Sequence, residues 1–251
     1  MKKKNDQRVV CIIQARMGSS RFPGKVLREI CGFPMVGWVA RRSGQAALVD
    51  QVVVATTSSA QDNPVEEFCH QAGIACFRGN EFDVLDRYYQ AALDQRADIV
   101  VRLTADCPLI DPWLIDAAVE ALVSEGLDFS ANRLPPPYRR TYPIGLDVEA
   151  VTFRALEMAW RNAKELYERE HVMPYLYNPD NGFKFRVLEA GRDLGHYRWT
   201  VDTPEDYQFI TKVMERMECR EDISWLDIVH LLESEPGLME INAGIRHKTM
   251  S

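Results

Sequence analysis

The stretch that decides the fold is Val9-Val10-Cys11-Ile12-Ile13-Gln14-Ala15-Arg16-Met17-Gly18-Ser19-Ser20-Arg21-Phe22-Pro23-Gly24-Lys25. Its first part, Val9–Ala15, is a short run of apolar and β-branched residues with no polar alternation. Such a run reads as a strand buried on both faces. A loop with two glycines, two serines and three cations follows at once. Gly18 and Gly24 allow close backbone approach and unusual torsions. Ser19 and Ser20 add hydroxyls and backbone N–H donors, and Arg16, Arg21 and Lys25 add positive charge. A triphosphate calls for that combination of donors and cations. The loop is not a Walker A motif, which has four residues between its last two glycines and a Ser or Thr after the lysine. Here five residues separate Gly18 from Gly24, and Val26 follows Lys25.

The pattern repeats downstream. Gln51–Ala55, Ile74–Arg78 and Ile99–Leu103 read as further buried strands. Met35–Ala47, Pro64–Ala72, Asp83–Gln95 and Pro112–Val123 read as helices between and after them, with Asp83 and Asp111 as N-terminal residues. Strand and helix in strict alternation predict a mainly parallel sheet covered by helices on both faces. In such sheets the ligand lies beyond the carboxyl ends of the strands. Those ends carry Arg16–Lys25, Thr56–Ser59, Arg78–Asn80 and Thr104–Pro108. The second half is less regular. Leu134–Pro143 has too many prolines for a helix or central strand. Gly145–Thr152, Phe183–Glu189 and His196–Val201 read as strands. Arg154–Ala163, Glu168–Tyr177, Pro204–Glu218 and Ser224–Glu233 read as helices, with Pro174 bending or ending the second. The expectation is one domain over 1–251, with a nucleotide-binding half at 9–125, an acceptor half at 126–220 and a carboxyl-terminal helix and tail at 221–251.

Composition bounds the partners. The chain has 251 residues, 46% of them hydrophobic, enough for a large core. A net charge of −7 argues against nucleic acid as a ligand, because phosphate binding on that scale needs a cationic footprint. Lys2-Lys3-Lys4 is the one basic run and reads as a solvated tail. No apolar run is long enough to span a membrane. The six cysteines, Cys11, Cys31, Cys69, Cys76, Cys107 and Cys219, are scattered without a CxxC, so they are expected to be reduced core residues of a cytoplasmic protein.

Two aspartates follow strands: Asp106 in Thr104-Ala105-Asp106-Cys107-Pro108, and Asp202 in Trp199-Thr200-Val201-Asp202-Thr203-Pro204-Glu205-Asp206. Mg²⁺ takes one or two carboxylates together with phosphate oxygens and water. Two aspartates at separate strand ends could hold it between them. Each also has a bland reading: Asp106 as a turn acceptor before Pro108, Asp202 as a helix cap in competition with Thr203.

Taken in order, these segments resemble the cytidylyltransferases that make CMP-activated acidic sugars, and within them the spore coat polysaccharide biosynthesis protein F family. The likeness runs from Ile12–Lys25 through Val53–Thr57, Phe77–Asn80, Asp83–Tyr88, Val101–Asp111, Tyr142–Glu149 and Tyr167–Val172 to Arg198–Asp206. It implies a Rossmann-like nucleotidyltransferase fold with a small inserted lid or dimerisation element, and Mg²⁺-dependent transfer of CMP from CTP to an acidic sugar or related anionic acceptor, with pyrophosphate released. It implies a cytoplasmic homodimer working in surface polysaccharide synthesis. Carried over by position, Gln14, Ala15, Arg16, Gly18, Ser19, Arg21, Lys25, Thr56, Arg78, Thr104 and Asp106 bind the nucleotide. Arg16, Arg21 and Lys25 act on the triphosphate, and Asp106 and Asp202 hold the metal. Arg139, Asp147, Glu149, Glu168 and His171 face the acceptor. Two readings of His171 stand side by side: an acceptor-orienting base, or a helix cap or ion-pair partner. Arg139 and Arg140 read either as an acceptor clamp or as a solvated loop face. The sialic-acid and Kdo activators have a glutamine near the position of Thr104, a departure that bears on base and sugar selection. A nucleotide-sugar glycosyltransferase would share the sheet and the metal site. The fourth strand's exit lacks the Asp-x-Asp such an enzyme needs. Lys25, Asp106 and Asp202 together count against a non-catalytic nucleotide-binding protein of a polysaccharide assembly complex, although nucleotide binding alone could also use them.

Overall fold

A computed structural model describes residues 7–245; the Lys2-Lys3-Lys4 run and residues 246–251 lie outside the described residues. The first strand, β1 (Val9–Gln14), is central. It pairs in parallel with β4 (Gln51–Thr57) on one side and with β6 (Ile99–Thr104) on the other. Val9 through Ile13 are fully buried because both edges and both faces are covered. The pleat sends alternate side chains to opposite faces. Val9, Cys11 and Ile13 therefore enter one apolar cluster, and Val10 and Ile12 the other. The first cluster is closed by α1 (Met35–Ser43), α2 (Asn63–Ala72), α4 (Pro112–Ser124), α8 (Pro204–Arg216) and α9 (Trp225–Ser234). The second is closed by α3 (Val84–Asp94), α5 (Phe153–Asn162) and α7 (Pro174–Tyr177).

With β5 (Ala75–Gly79), β7 (Phe129–Ala131), β8 (Glu149–Thr152) and β9 (Phe185–Val187), the main sheet has seven strands in the order β5-β4-β1-β6-β8-β7-β9. The first four are parallel, β8 is antiparallel to both its neighbours, and β9 is parallel to β7. The α/β expectation of a mainly parallel sheet holds. From β1 the chain moves outward to β4 and β5, then crosses back to β6 on the other side. The loops after β1 and β6 thus diverge and leave a crevice where a ligand sits.

Several local expectations are revised. The expected strand at His196–Val201 is only a single parallel bridge, Ile144 to Arg198. Gly145 lies against the Trp199–Thr200 backbone with φ +106°, and that torsion ends regular pairing. The expected strand from Gly145 shrinks to Glu149–Thr152. Ahead of it the Asn132 side chain stands in for a neighbouring strand, donating to Leu146 O and accepting from Val148 N. The helix expected over Glu168–Tyr177 splits into α6 (Leu166–His171) and α7, because Val172 takes φ 71° and Pro174 starts the second piece. A hairpin that periodicity did not announce, β2 (Glu29–Ile30) with β3 (Phe33–Pro34), turns through Cys31 and Gly32, both at positive φ.

The cysteines need the largest correction. Cys31, at that hairpin turn, forms a disulfide with Cys219, just after α8. Cys11, Cys69 and Cys107 are free and buried as expected, while Cys76 is free and half-buried. The paired residues lie 188 positions apart, so spacing carried no hint of the bond.

Candidate active site

The loop after β1 is pinned from below. Gly24 takes φ 70° and donates to Met17 O, which closes the loop on itself. The buried Asp62 accepts from Met17 N at 2.7 Å and also from Thr57 Oγ1 at the end of β4. Asp62 thus fixes the loop to the sheet, a role its surroundings in sequence did not signal. The resulting cavity, about 470 Å³, is lined by Gln14, Arg16, Gly18, Ser19, Arg21, Lys25, Thr104, Asp106 and Asp202 among others. Nine of the residues read from sequence therefore converge. The Oε1 of Gln14 is buried there with no partner, a hydrogen-bond acceptor left over on the cavity's floor.

The centre of the site is Lys25. Its ammonium donates to Asp106 Oδ2 at 2.8 Å, to Asp202 Oδ1 at 2.9 Å and to Val201 O at 2.7 Å. Burial works against the charged form, but Asp106 and Asp202 outweigh it and hold the Lys25 pKa above the ordinary lysine value. Asp106 is steadied by Thr104, whose hydroxyl donates to Oδ1 at 2.6 Å. Asp202 is held on its other oxygen by Arg21 at 3.0 Å and Arg198 at 3.1 Å. Burial opposes the charge on Asp202, yet Lys25 first, then Arg21 and Arg198, lower its pKa to about 2. Arg198 is in turn gripped by the fully buried Asp206 through two bonds of 2.8 Å. The competition over the helix cap is resolved here. Thr203 caps α8 in a reciprocal box with Asp206, which leaves the Asp202 carboxylate free to face the cavity.

A second cavity of about 240 Å³ adjoins the first and shares Thr104, Asp106 and Asp202 with it. Asp147, Glu149 and His171 line it, together with Arg102, Arg133 and Tyr177. Arg102 on β6 faces Glu149 directly across the antiparallel pair, and the two form an ion pair. Asp147 is clamped by both terminal nitrogens of Arg140, at 2.5 and 3.0 Å. Burial lowers the His171 pKa, Glu170 opposes this, and Arg102 and Arg133 add to it, so the ring is neutral at pH 7.

Other expected residues fall outside these cavities. Arg139 is exposed and paired with Asp193; of its two readings, the surface one fits. Glu168 closes the amino terminus of α6, its carboxylate accepting from Lys164 N and Glu165 N. Thr56 is fully buried, its hydroxyl unpartnered. Ala15 is buried behind the loop, its N–H spent on Ala55 O. Arg78 acts from behind: it donates to Thr57 O and Ser59 O and pairs with Glu66, so it braces Ser59 at the cavity wall. Sequence reasoning missed Arg133, Tyr177, Arg102, Arg198 and Asp206 as site residues. A signal existed for one of them: Arg102 interrupts the otherwise apolar run Ile99–Leu103 of β6, where a charge needs a partner.

A glycine-rich cationic loop leaving the first strand of a doubly wound sheet, with two carboxylates facing it across a crevice, defines a nucleotidyltransferase. Residues 10–238 match the model of the cytidylyltransferase family, and the chain belongs to that family. It is 33% identical to the spore coat polysaccharide biosynthesis protein SpsF of Bacillus subtilis, over 91% of this chain and 95% of that protein. The fold superposes on a cytidylyltransferase from Leptospira borgpetersenii with a TM-score of 0.88, at 33% identity, covering 96% of this chain and all of that one. It also resembles CMP:2-keto-3-deoxy-manno-octonic acid synthetase complexed with CTP, with a TM-score of 0.64 at 22% identity, over 84% of this chain and all of that one. That last likeness concerns the fold alone. No helix among the described residues is long and apolar enough to cross a membrane.

Proposed function

We propose that this protein transfers CMP from CTP to a hydroxyl of an acidic sugar or related anionic acceptor, with release of pyrophosphate. The observation that carries the reading is the meeting of two cavities at Thr104, Asp106 and Asp202. One is lined by the cationic loop and suits a triphosphate. The other suits a compact polar acceptor. An acceptor hydroxyl attacking from the second cavity forms its O–P bond to the α-phosphorus as the bond to pyrophosphate breaks, its proton passing to the His171 ring or to water, and no enzyme-bound intermediate is needed. Arg16, Arg21 and Lys25 face the leaving group, where charge develops. Arg133 supports an anionic acceptor: it lines the second cavity and forms no salt bridge to a described carboxylate. His171 offers that acceptor a neutral ring.

The donor set fits Mg²⁺. Two carboxylates from separate segments already converge on one cation, the Lys25 ammonium, and one or two carboxylates are what Mg²⁺ takes beside phosphate oxygens and water. Asp106 and Asp202 would hold the ion, which when bound neutralises phosphate oxygens and polarises the phosphorus. A homodimer belongs to the same reading; the Cys31–Cys219 bond removes the cysteine argument for a cytoplasmic location. Phe82 and Leu166, exposed beside the segments that Arg169 ties to Asp83, support a covered apolar face there.

The test is pyrophosphate release from CTP, UTP, GTP and ATP with a panel of 2-keto acidic sugars and their neutral analogues. CTP-selective release with an acidic acceptor is expected. Turnover with a nucleotide-sugar donor and no triphosphate would refute the reading.

A further inference from the structure

In the free protein the position between the Asp106 and Asp202 carboxylates is filled. Lys25 Nζ sits there, within 2.9 Å of both Asp106 and Asp202 and tied also to Val201 O. The remaining carboxylate oxygens are engaged as well, Asp106 Oδ1 by Thr104, and Asp202 Oδ2 by Arg21 and Arg198. An arriving divalent cation therefore meets three positive side chains around two negative ones. Bare carboxylate pairs attract metal, but this pair is already neutralised, and displacing a buried ammonium into nothing is costly. Only a second anion within reach of the lysine removes that cost. The cationic loop that begins at Arg16 and ends at Lys25 is where such an anion binds, since Lys25 belongs to the wall of the triphosphate cavity as well as to the carboxylate cluster.

We propose that Lys25 is an internal counter-ion that shuts the metal site until a nucleoside triphosphate arrives. The triphosphate draws the ammonium off Asp106 and Asp202 onto its phosphate oxygens, and the divalent cation takes the vacated carboxylates. The exchange keeps local charge nearly balanced: a triphosphate adds negative charge as one positive charge moves to it and two more enter. The consequence is an order of binding. Nucleotide comes before, or together with, the metal, and the protein alone does not bind divalent ions indiscriminately. Lys25 thereby serves in two places, as counter-ion in the free protein and as phosphate ligand in the complex. This inference rests on Asp106 and Asp202 being the metal ligands.

Equilibrium dialysis with Mn²⁺ as the probe tests it, with and without CTP, on the full chain and on Lys25→Met and Lys25→Gln. The glutamine keeps a donor for the carboxylates and guards against loss of fold, which urea unfolding checks first. The wild type is expected to retain Mn²⁺ weakly alone and well with CTP. Each variant is expected to retain Mn²⁺ without nucleotide at least about tenfold more tightly than the wild type, because a unit positive charge has left the site. CTP should add little to retention by the variants. Should neither variant fold, the wild type decides: CTP bound in EDTA, with Mn²⁺ retained only when CTP is present, supports the proposal. Tight retention of Mn²⁺ by the wild type alone, equal to that of the variants, overturns it while leaving the metal ligands in place. No retention by the wild type even with CTP overturns the metal assignment itself, and the inference with it.

Discussion

Replacing Asp206 with alanine should cripple this protein by way of stability. Asp206 is fully buried, and so, nearly, is its partner Arg198. The carboxylate takes Arg198 Nε and Nη2 at 2.8 Å each. It also accepts from Asp202 N at 3.0 Å, Thr203 N at 3.1 Å and Asn242 Nδ2 at 3.1 Å. Alanine leaves the guanidinium buried without its main counter-ion and removes half of the capping box of α8. Breaking a buried pair by deleting one partner costs about 3–5 kcal/mol. The lost caps act on the same network, so they do not simply add. We expect a destabilisation of about 4 kcal/mol, which for a chain of this size lowers Tm by roughly 8–16 °C. Asp206→Asn keeps an acceptor for the backbone but loses the charge, and should fall between. Urea unfolding followed by tryptophan fluorescence, which reports on the buried Trp199, measures both. An alanine variant within about 1 kcal/mol of the wild type would refute the reasoning, since it would mean that Arg198 finds water or another acid without cost.

Other perturbations follow from the same geometry. A Cβ on Gly145 would lie 2.6 Å from the Trp199 backbone carbon at φ +106°, so Gly145→Ala should destabilise by about 2 kcal/mol or more and close down the acceptor cavity; an unchanged urea midpoint would count against it. Asp202 has a folded pKa of about 2, below its unfolded value near 3.9, so its ion pairs contribute stability in full above about pH 4 and lose it as pH falls toward 2; in Asp202→Asn that part of the acid dependence should vanish. Thiol titration of the unreduced, denatured chain should find the four free cysteines, Cys11, Cys69, Cys76 and Cys107. Reduction of Cys31–Cys219 should cost about 2–4 kcal/mol in the same unfolding assay; six titratable thiols before reduction would remove the bond from the picture.

What the sequence determined by itself was whatever local chemistry controls. Val9–Ile13 is too continuously apolar to be anything but a central strand, and the four parallel strands of the first half appear within a residue or two of where periodicity puts them. Asp83 and Asp111 cap their helices because a short acceptor before a helical run has one efficient use. The convergence of the loop from Arg16 to Lys25 with Thr104, Asp106 and Asp202 was legible because glycines and cations directly after a buried strand, and carboxylates in polar segments beyond apolar runs, have few other uses. Tertiary structure decided the rest. Whether Asp202 or Thr203 caps α8 depends on where Lys25, Arg21 and Arg198 stand, and these come from three separate segments. Arg102 and Glu149 meet only because β8 runs antiparallel to β6 in one particular register. Arg139 turns outward to Asp193 while its neighbour Arg140 turns inward to Asp147, a choice that composition does not encode. The strand expected at His196–Val201 gave way to the close approach of Gly145, and the Cys31–Cys219 bond joined residues 188 positions apart. Each of these is a long-range pairing. Its energy depends on distance and burial, which are fixed only once the chain has closed on itself.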